Sequence, residues 1–415
     1  MERQNRTYKA AVIGGGAAGM TAAISAARAV GGENVVLIEK NEKLGRKLLA
    51  TGNGRCNISN SSADPSEYSH DFHKLRFVKS VFSAVPPDCL TEFFDSLGIV
   101  LKEEKGGLLY PLGEQAAAVN DMLKLELARL GVVVLLGTKI TKISQNGEGW
   151  ELFSHTHSIL SDKVIVACGG AAAPSLGGTD SGVQLLSELG HAVTPMSPSL
   201  VQLCTDFPNI KSLGGVRVKC KAALLCGGAF VAEEIGEVQF TDRTLSGIAV
   251  FQLSRFVREE GEGKPYRISL NLMPERSDFA VFQFLTKRVR TIPHMPLEDF
   301  LSPLFKKSVG VCLLRYSKIE KLDRPCSALS EEEIKRLAAS ISDWSFNITG
   351  KADFKNAQVM SGGASIENFS GSTLESKLCR GIFAAGETLD IDGPCGGYNL
   401  HWAWTSGLLA GKSAV

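Results

Sequence analysis

For the first forty residues, apolar blocks alternate with glycine. A short apolar run at residues 9–13 ends at Gly14-Gly15-Gly16, and an alanine-rich stretch over residues 17–30 follows as strong helix material. Gly31-Gly32 stops it. Val35-Val36-Leu37-Ile38-Glu39 then reads as a second buried strand, apolar until its acidic end. Further on, the pattern predicts helices at 72–85, 87–97 and 116–130. Strands are expected at 132–136 and 140–143, a hairpin at 150–153 with 158–160, and a buried strand at 164–167 running into Gly169-Gly170.

After Gly190 the character changes. Val216-Arg217-Val218-Lys219-Cys220 alternates and Gly227-Gly228 marks a turn, so this stretch is β-rich. Helical patterns follow at 279–289, 296–305 and 330–341. Ser330 and Glu333 form a capping box at the start of the last of these. Residues 346–360 return to strand, 381–387 read as a strand entering a loop, and 398–414 as a final helix. The predicted class is α/β. A discontinuous Rossmann-type domain comes from 1–190 and 360–415, an inserted β-rich domain from 191–276 and 345–359, and a helical subdomain from 277–344.

Composition narrows the possibilities. The 415 residues, 44% hydrophobic, suffice for two or three cores. A formal charge of +1 gives no global pull toward nucleic acid or an anionic membrane. Ten scattered cysteines with no C-x-x-C pair look like cytosolic thiols, and no His/Cys cluster has metal-ligand spacing. With no long apolar run, the chain is expected to be cytoplasmic, without a membrane partner.

Gly14, Gly16 and Gly19 form G-x-G-x-x-G between a strand and a helix, and Glu39 lies 20 residues past Gly19, at the end of the second strand. Gly14 permits the tight turn, Gly16 lets backbone approach a pyrophosphate, and Gly19 lets the helix pack against the strand. The helix N-terminus offers amides to the phosphates and Glu39 can accept from ribose hydroxyls. Gly386-Glu387 after an apolar strand, with a helix soon following, favours FAD over NAD as the dinucleotide.

Longer motifs carry a resemblance. Gly45-Arg46-Lys47, Gly52-Asn53-Gly54-Arg55-Cys56-Asn57, Gly236-Glu237-Val238-Gln239-Phe240-Thr241 with Leu245-Ser246-Gly247, and the run from Asp392 through Gly393-Pro394-Cys395-Gly396-Gly397-Tyr398-Asn399-Leu400-His401-Trp402-Ala403-Trp404 are similar to those of the BaiN-like bacterial flavoproteins, also known as aminoacetone-oxidase-like FAD enzymes. The likeness covers nearly the full length. It implies an FAD domain, an inserted β-barrel and a helical subdomain. It also implies that FAD touches Gly14, Gly16, Ala17, Ala18 and Gly19, then Glu39, Lys40, Arg46 and Lys47. The loop Asn53, Gly54, Arg55, Cys56 and Asn57 would join them, with backbone at Ile140, Ala167 and Gly169. Gly386, Glu387, Asp392, Asn399 and Leu400 would complete the set. Two places depart from the pattern: Ala167-Cys168-Gly169-Gly170 stands where many members carry A-T-G-G, and Arg243-Thr244 replaces tyrosine or glycine types.

The redox chemistry would belong to FAD, with NADH or NADPH as a transient donor, because no second G-x-G-x-x-G is present. Candidate catalytic residues are Tyr398 as proton donor, Cys56 as proton donor or redox thiol, and Arg55 for stabilising negative charge. Each has a plainer alternative: ring packing, an inert buried thiol, and a positioning arginine. A Cys56–Cys395 pair stays open, as does a core role for His401. The resemblance implies three activities. The first is NAD(P)H-dependent reduction of an activated C=C bond in a bile-acid-type enone. The second is dihydrouridine synthesis on ribosomal RNA, supported by Lys287, Arg288 and Arg290 and the basic residues that follow. The third is oxidation of amines or aminoacetone with oxygen.

Overall fold

A computed structural model describes residues 6–69, 71–208, 210–258 and 263–415. They form two compact units. One runs up to Ser199 and resumes at Ala357–Val415; the other is Leu200–Asn356. The inserted unit therefore begins nine residues later than the glycine-based boundary at 190/191. The cause is pairing: Val193–Ser199 lies antiparallel to Val359–Ala364, inside the first unit.

In the first unit, five parallel strands run in the order Val133–Leu135, Val35–Ile38, Thr7–Ile13, Ser158–Val166 and Ile382–Ala384. Both the first strand and the last therefore flank Ser158–Val166. The expected hairpin segment at 158–160 and the expected strand at 164–167 are one nine-residue strand. Its first half pairs antiparallel with Gly149–Ser154, and its second half pairs parallel with Ile382–Ala384. Val35–Ile38 and the end of Thr7–Ile13 are completely or nearly completely buried, which is why both read as continuous apolar runs. A small antiparallel sheet of Ser59–Asn60, Leu108–Pro111 and Leu101–Glu104 stands apart from this layer.

The helix Ala17–Val30 is alanine-rich for a packing reason. The last helix, Tyr398–Ser413, lies directly on it. A Cβ at Gly407 would sit 2.5 Å from the Ala18 carbonyl oxygen, and one at Gly411 would sit 2.3 Å from that of Ala22. Ser25 Oγ also donates to Leu408 O at 2.9 Å. The two backbones touch with no side chain between them.

The second unit is a closed antiparallel barrel of six strands. In order around the barrel these are Leu203–Thr205, Thr244–Ser246, Ala229–Phe240, Arg217–Cys226, Tyr266–Asn271 and Trp344–Lys351. The alternation seen in the sequence is realised on Arg217–Cys226, where Val218, Cys220, Ala222 and Leu224 point inward. Helices Asp278–Thr291, Lys307–Tyr316 and Glu331–Ser342 share one continuous apolar core with the barrel. The capping box at Ser330 and Glu333 forms. The helix expected at 296–305 is instead a single 3-10 turn, Leu297–Asp299, and the true helix starts at Lys307. Pro303 has no N–H to donate and clashes with a preceding helical turn, so the segment cannot continue as helix.

Gly407→Ala tests the contact between the first and last helices. In an unpacked helix this change adds stability, but here it lowers stability by roughly 1–3 kcal/mol through overpacking. Urea denaturation reads the difference. A variant as stable as the parent would mean that the helices separate without cost.

Candidate flavin site

The first turn is tied down on both sides. Gly14 N donates to Ile38 O at 2.8 Å and Ala167 N to Ile13 O at 2.8 Å. Gly14 has φ +112°, and a Cβ there would lie 2.3 Å from Ala167 O; at Gly19 it would lie 1.8 Å from Gly14 O. Gly16 is different: no atom comes within 4 Å of its Cβ position, which leaves an open cradle beside the helix N-terminus. The helix has neither a capping side chain nor an acidic residue in its first turn, and its backbone ladder begins with Met20 N donating to Gly16 O. The amides before Met20 are thus available to an anion, which fits a dinucleotide pyrophosphate.

Glu39 is buried at the end of the second strand. Gly15 N donates to one oxygen at 2.6 Å, and Asn41 donates to the other from its backbone (2.8 Å) and its side chain (2.5 Å). A carboxylate has about four acceptor positions, so one stays open for a ribose hydroxyl. Next to it, burial holds the Lys40 ammonium below the usual lysine range, against the opposing pull of Glu39. Thr138 N donates to Glu39 O at 2.9 Å, which brings the chain leading to buried Ile140 alongside. Ala167 is also buried. Gly169 N donates to Thr388 Oγ1 at 3.1 Å and joins this end of the site to the turn Gly386–Thr388.

That turn meets the Gly45–Leu49 segment. Lys47 Nζ pairs with Glu387 at 2.8 Å, and the other Glu387 oxygen accepts from Met360 N at 2.5 Å. Gly386 N donates to Ser406 Oγ at 2.9 Å, and Gly386 O accepts from Trp402 Nε1 at 3.0 Å. Its Cα side faces Ala18, 2.9 Å from where a Cβ would stand. Arg46 lies outside this pairing. It is exposed and donates to Asn41 Oδ1 and Ser175 O.

The two glycine-rich motifs are cross-tied. With its carboxamide turned to satisfy both ends, Asn57 donates to Leu109 O and Ser59 O and accepts from Gly397 N at 3.0 Å. Asn399 closes the turn at 393–394 through Gly393 N, Gly393 O and Pro394 O. Asp392 accepts from Ser199 Oγ at 2.9 Å, and half-buried Leu400 packs on the core. Asn53 and Gly54 are exposed with left-handed backbone.

Tyr398 is half-buried, its ring 6.1 Å from that of Tyr68, and Tyr68 OH donates to its carbonyl at 2.7 Å. Burial, with Glu67 adding to it, raises its phenol above the ordinary range, so it keeps its proton at neutral pH. Cys56 is fully buried and burial pushes its thiol up to about 12; the Cys395 thiol lies 3.9 Å from Gln358 Oε1. All ten cysteines are thiols. The Arg55 guanidinium is held by Glu104 and Glu114, each at 2.8 Å.

Sequence reasoning missed Lys74 and Asp390. They pair at 2.7 Å, and the buried Asp390 also accepts from Gly362 N. No local signal marks such a pair. Among the described residues no helix is long and apolar enough to cross a membrane.

A Rossmann-type sheet with an open cradle at Gly16, an acidic second-strand end and a carboxyl-terminal Gly-Glu turn defines the class as FAD-dependent oxidoreductase. Comparison with known proteins narrows this. The model of the "HI0933-like protein Rossmann domain" matches residues 8–413, and the chain belongs to that family. It is 37% identical over 405 residues to a 3-dehydro-bile acid delta(4,6)-reductase of Clostridium scindens, covering 97% of this chain and 98% of the relative. It is 29% identical to a ribosomal RNA dihydrouridine synthase of Haemophilus influenzae, with 95% of each chain covered. Among solved structures, a 3-ketosteroid-delta4-(5alpha)-dehydrogenase from Rhodococcus jostii RHA1 aligns over 100% of this chain and 98% of its own, at 13% identity and a TM-score of 0.48.

His401 supplies a pH test. It is buried, its Nδ1 lies 2.7 Å from Ser59 Oγ, and burial lowers its imidazole to about 4. An unfolded histidine titrates near 6.5, so the unfolded chain takes the proton first as pH falls. The stability this group contributes is full above about pH 6.5 and is lost as pH falls toward 4, amounting to about 3 kcal/mol. Unfolding free energies of the parent minus those of His401→Gln, measured from pH 7 to 4, should show this slope. Parallel curves would refute it.

Proposed function

We propose that the chain is an NAD(P)H-dependent reductase of a C=C bond conjugated to a carbonyl, with a bile-acid-type 3-oxo steroid acid as substrate class. The observation that carries this reading is the 37% identity to the delta(4,6)-reductase over almost the whole of both chains. When bound, FAD supplies hydride exchange between the nicotinamide donor and the enone. The chain's own tasks are to hold the dinucleotide and to deliver a proton. The amides at 17–19 and Glu39 take the pyrophosphate and ribose, and Lys47 and Glu387 stand beside them. Saturation of the bond needs one proton on the carbon next to the carbonyl. Tyr398 is the proposed donor: it is a half-buried phenol at the start of the last helix that keeps its proton at working pH. The raised thiol of Cys56 and its complete burial support a packing role in the loop over that of a redox thiolate.

A second reading is reduction of uridine in ribosomal RNA, carried by the 29% identity to the dihydrouridine synthase. It asks for the same saturation of a conjugated bond. The basic stretch of the second unit gives it limited support. Lys307 is paired with Asp299 at 2.8 Å and Arg324 with Glu333, while exposed Lys287, Arg290, Lys306, Arg315, Lys318 and Lys321 are the cations offered to a phosphate backbone.

Anaerobic titration of the purified flavoprotein with NADH and NADPH tests the first reading. The flavin bands should bleach, and a 3-oxo-Δ4 steroid acid should restore them. Bleaching restored only by RNA would transfer the assignment to the second reading. Bands that persist with both nicotinamides but bleach with aminoacetone would point to an oxidase. Tyr398→Phe should slow reoxidation by the steroid about 10²-fold or more, the usual worth of a general acid, with bleaching by NAD(P)H unchanged. Unaltered reoxidation would remove Tyr398 as donor.

A further inference from the structure

The loop at 52–56 is an unfavourable piece of backbone. Gly52, Asn53, Gly54 and Cys56 all have positive φ, between +56° and +87°, and two of the four are not glycine. Residues 52–54 are exposed, so burial does not hold them. Two local backbone bonds help: Arg55 N to Gly52 O and Cys56 N to Thr51 O.

The other restraint is electrostatic. Arg55 Nε donates to Glu114 and Nη2 to Glu104, both at 2.8 Å, and the guanidinium lies 4.1 Å from the centre of the Tyr110 ring. Lys102 reaches the same two carboxylates, Glu104 at 3.3 Å and Glu114 at 3.1 Å. Two cations and two carboxylates thus alternate in a closed ring. Lys102 and Glu104 sit on Leu101–Glu104, Tyr110 sits on Leu108–Pro111, and that strand pairs with Ser59–Asn60 just beyond the loop. An isolated surface pair does little, whereas a network with two-point contact on an arginine fixes geometry.

We infer that Glu104 and Glu114 are positioning residues for the flavin-side loop, acting through Arg55. This rests on the FAD reading above. The Arg55 charge is committed to the two carboxylates, so the arginine pins the loop in the shape that receives the cofactor.

The test is FAD binding to the full-length apoprotein, followed by quenching of flavin fluorescence at low and high salt. The parent should bind FAD, with affinity that falls as salt screens the ring. Glu104→Gln/Glu114→Gln should bind about tenfold more weakly at low salt, as expected for the loss of a network of surface pairs. It should lose most of the salt response while keeping the apoprotein melting temperature. Glu114→Gln alone should show part of the effect and keeps the test readable if the double variant misfolds. Arg55→Lys should recover part of the affinity that Arg55→Met loses. If the glutamine variants bind like the parent while Arg55→Met does not, Arg55 contacts the cofactor directly and the inference fails. Binding by every variant as tight as the parent's also overturns it. A parent that takes no FAD would overturn the flavin reading itself, an outcome distinguishable from the others by the parent's own titration.

Discussion

Backbone contact between the first helix and the last is the constraint on which the site depends. Ala18 lies in the first turn of Ala17–Val30, where the dinucleotide amides are. It is approached from two sides by glycine: Gly386 from the carboxyl-terminal turn and Gly407 from the final helix. Any side chain at either glycine would push on the turn that holds the phosphates. The alanine content of the first helix and the glycine content of the last answer the same requirement, since close packing leaves no slack to absorb a displaced backbone.

Around that contact, polar groups fix geometry. Asn57 and Asn60 span from the small sheet to Gly397 and Gly396. Trp402 and Ser406 hold Gly386, and Trp404 Nε1 donates to Ile58 O at 2.9 Å. The tryptophans and Ser406 come from one helix and reach the Gly386 turn and the residue that follows the 52–57 loop, so the helical part of the long motif acts as a set of clamps. Its two tryptophans are core residues whose indole N–H groups are satisfied by backbone, as buried tryptophans require.

Much of this was legible in the sequence. The strand-glycine-helix-strand start, the acidic end at Glu39, the alternation from Val216 to Cys220 and the capping box at Ser330 rest on local rules, and local rules can be read along a chain. What escaped depends on distant partners. The pairing of Val193–Ser199 with Val359–Ala364 moved the boundary between units, and nothing near Gly190 announces it. Lys74 and Asp390 stand 316 residues apart and look ordinary in their own segments. Arg55 was recognisable as a residue of the loop, but its carboxylate partners come 49 and 59 residues later, Glu104 at the end of a strand and Glu114 in the chain beyond the next one. The segment at 296–305 carried a helical pattern that Pro303 overrode.

The order in which the chain leaves a ribosome makes the contact at Ala18 a late event. The glycine turn is synthesised long before the helix that braces it. Between them come the strand Ser158–Val166 and the whole barrel unit, which has its own core. Non-local contacts of this span are slow to form because a long loop must close first. While the insert is being made, the small residues of the first helix therefore remain without their partner, and the turn that faces the phosphates lacks the backbone that braces it.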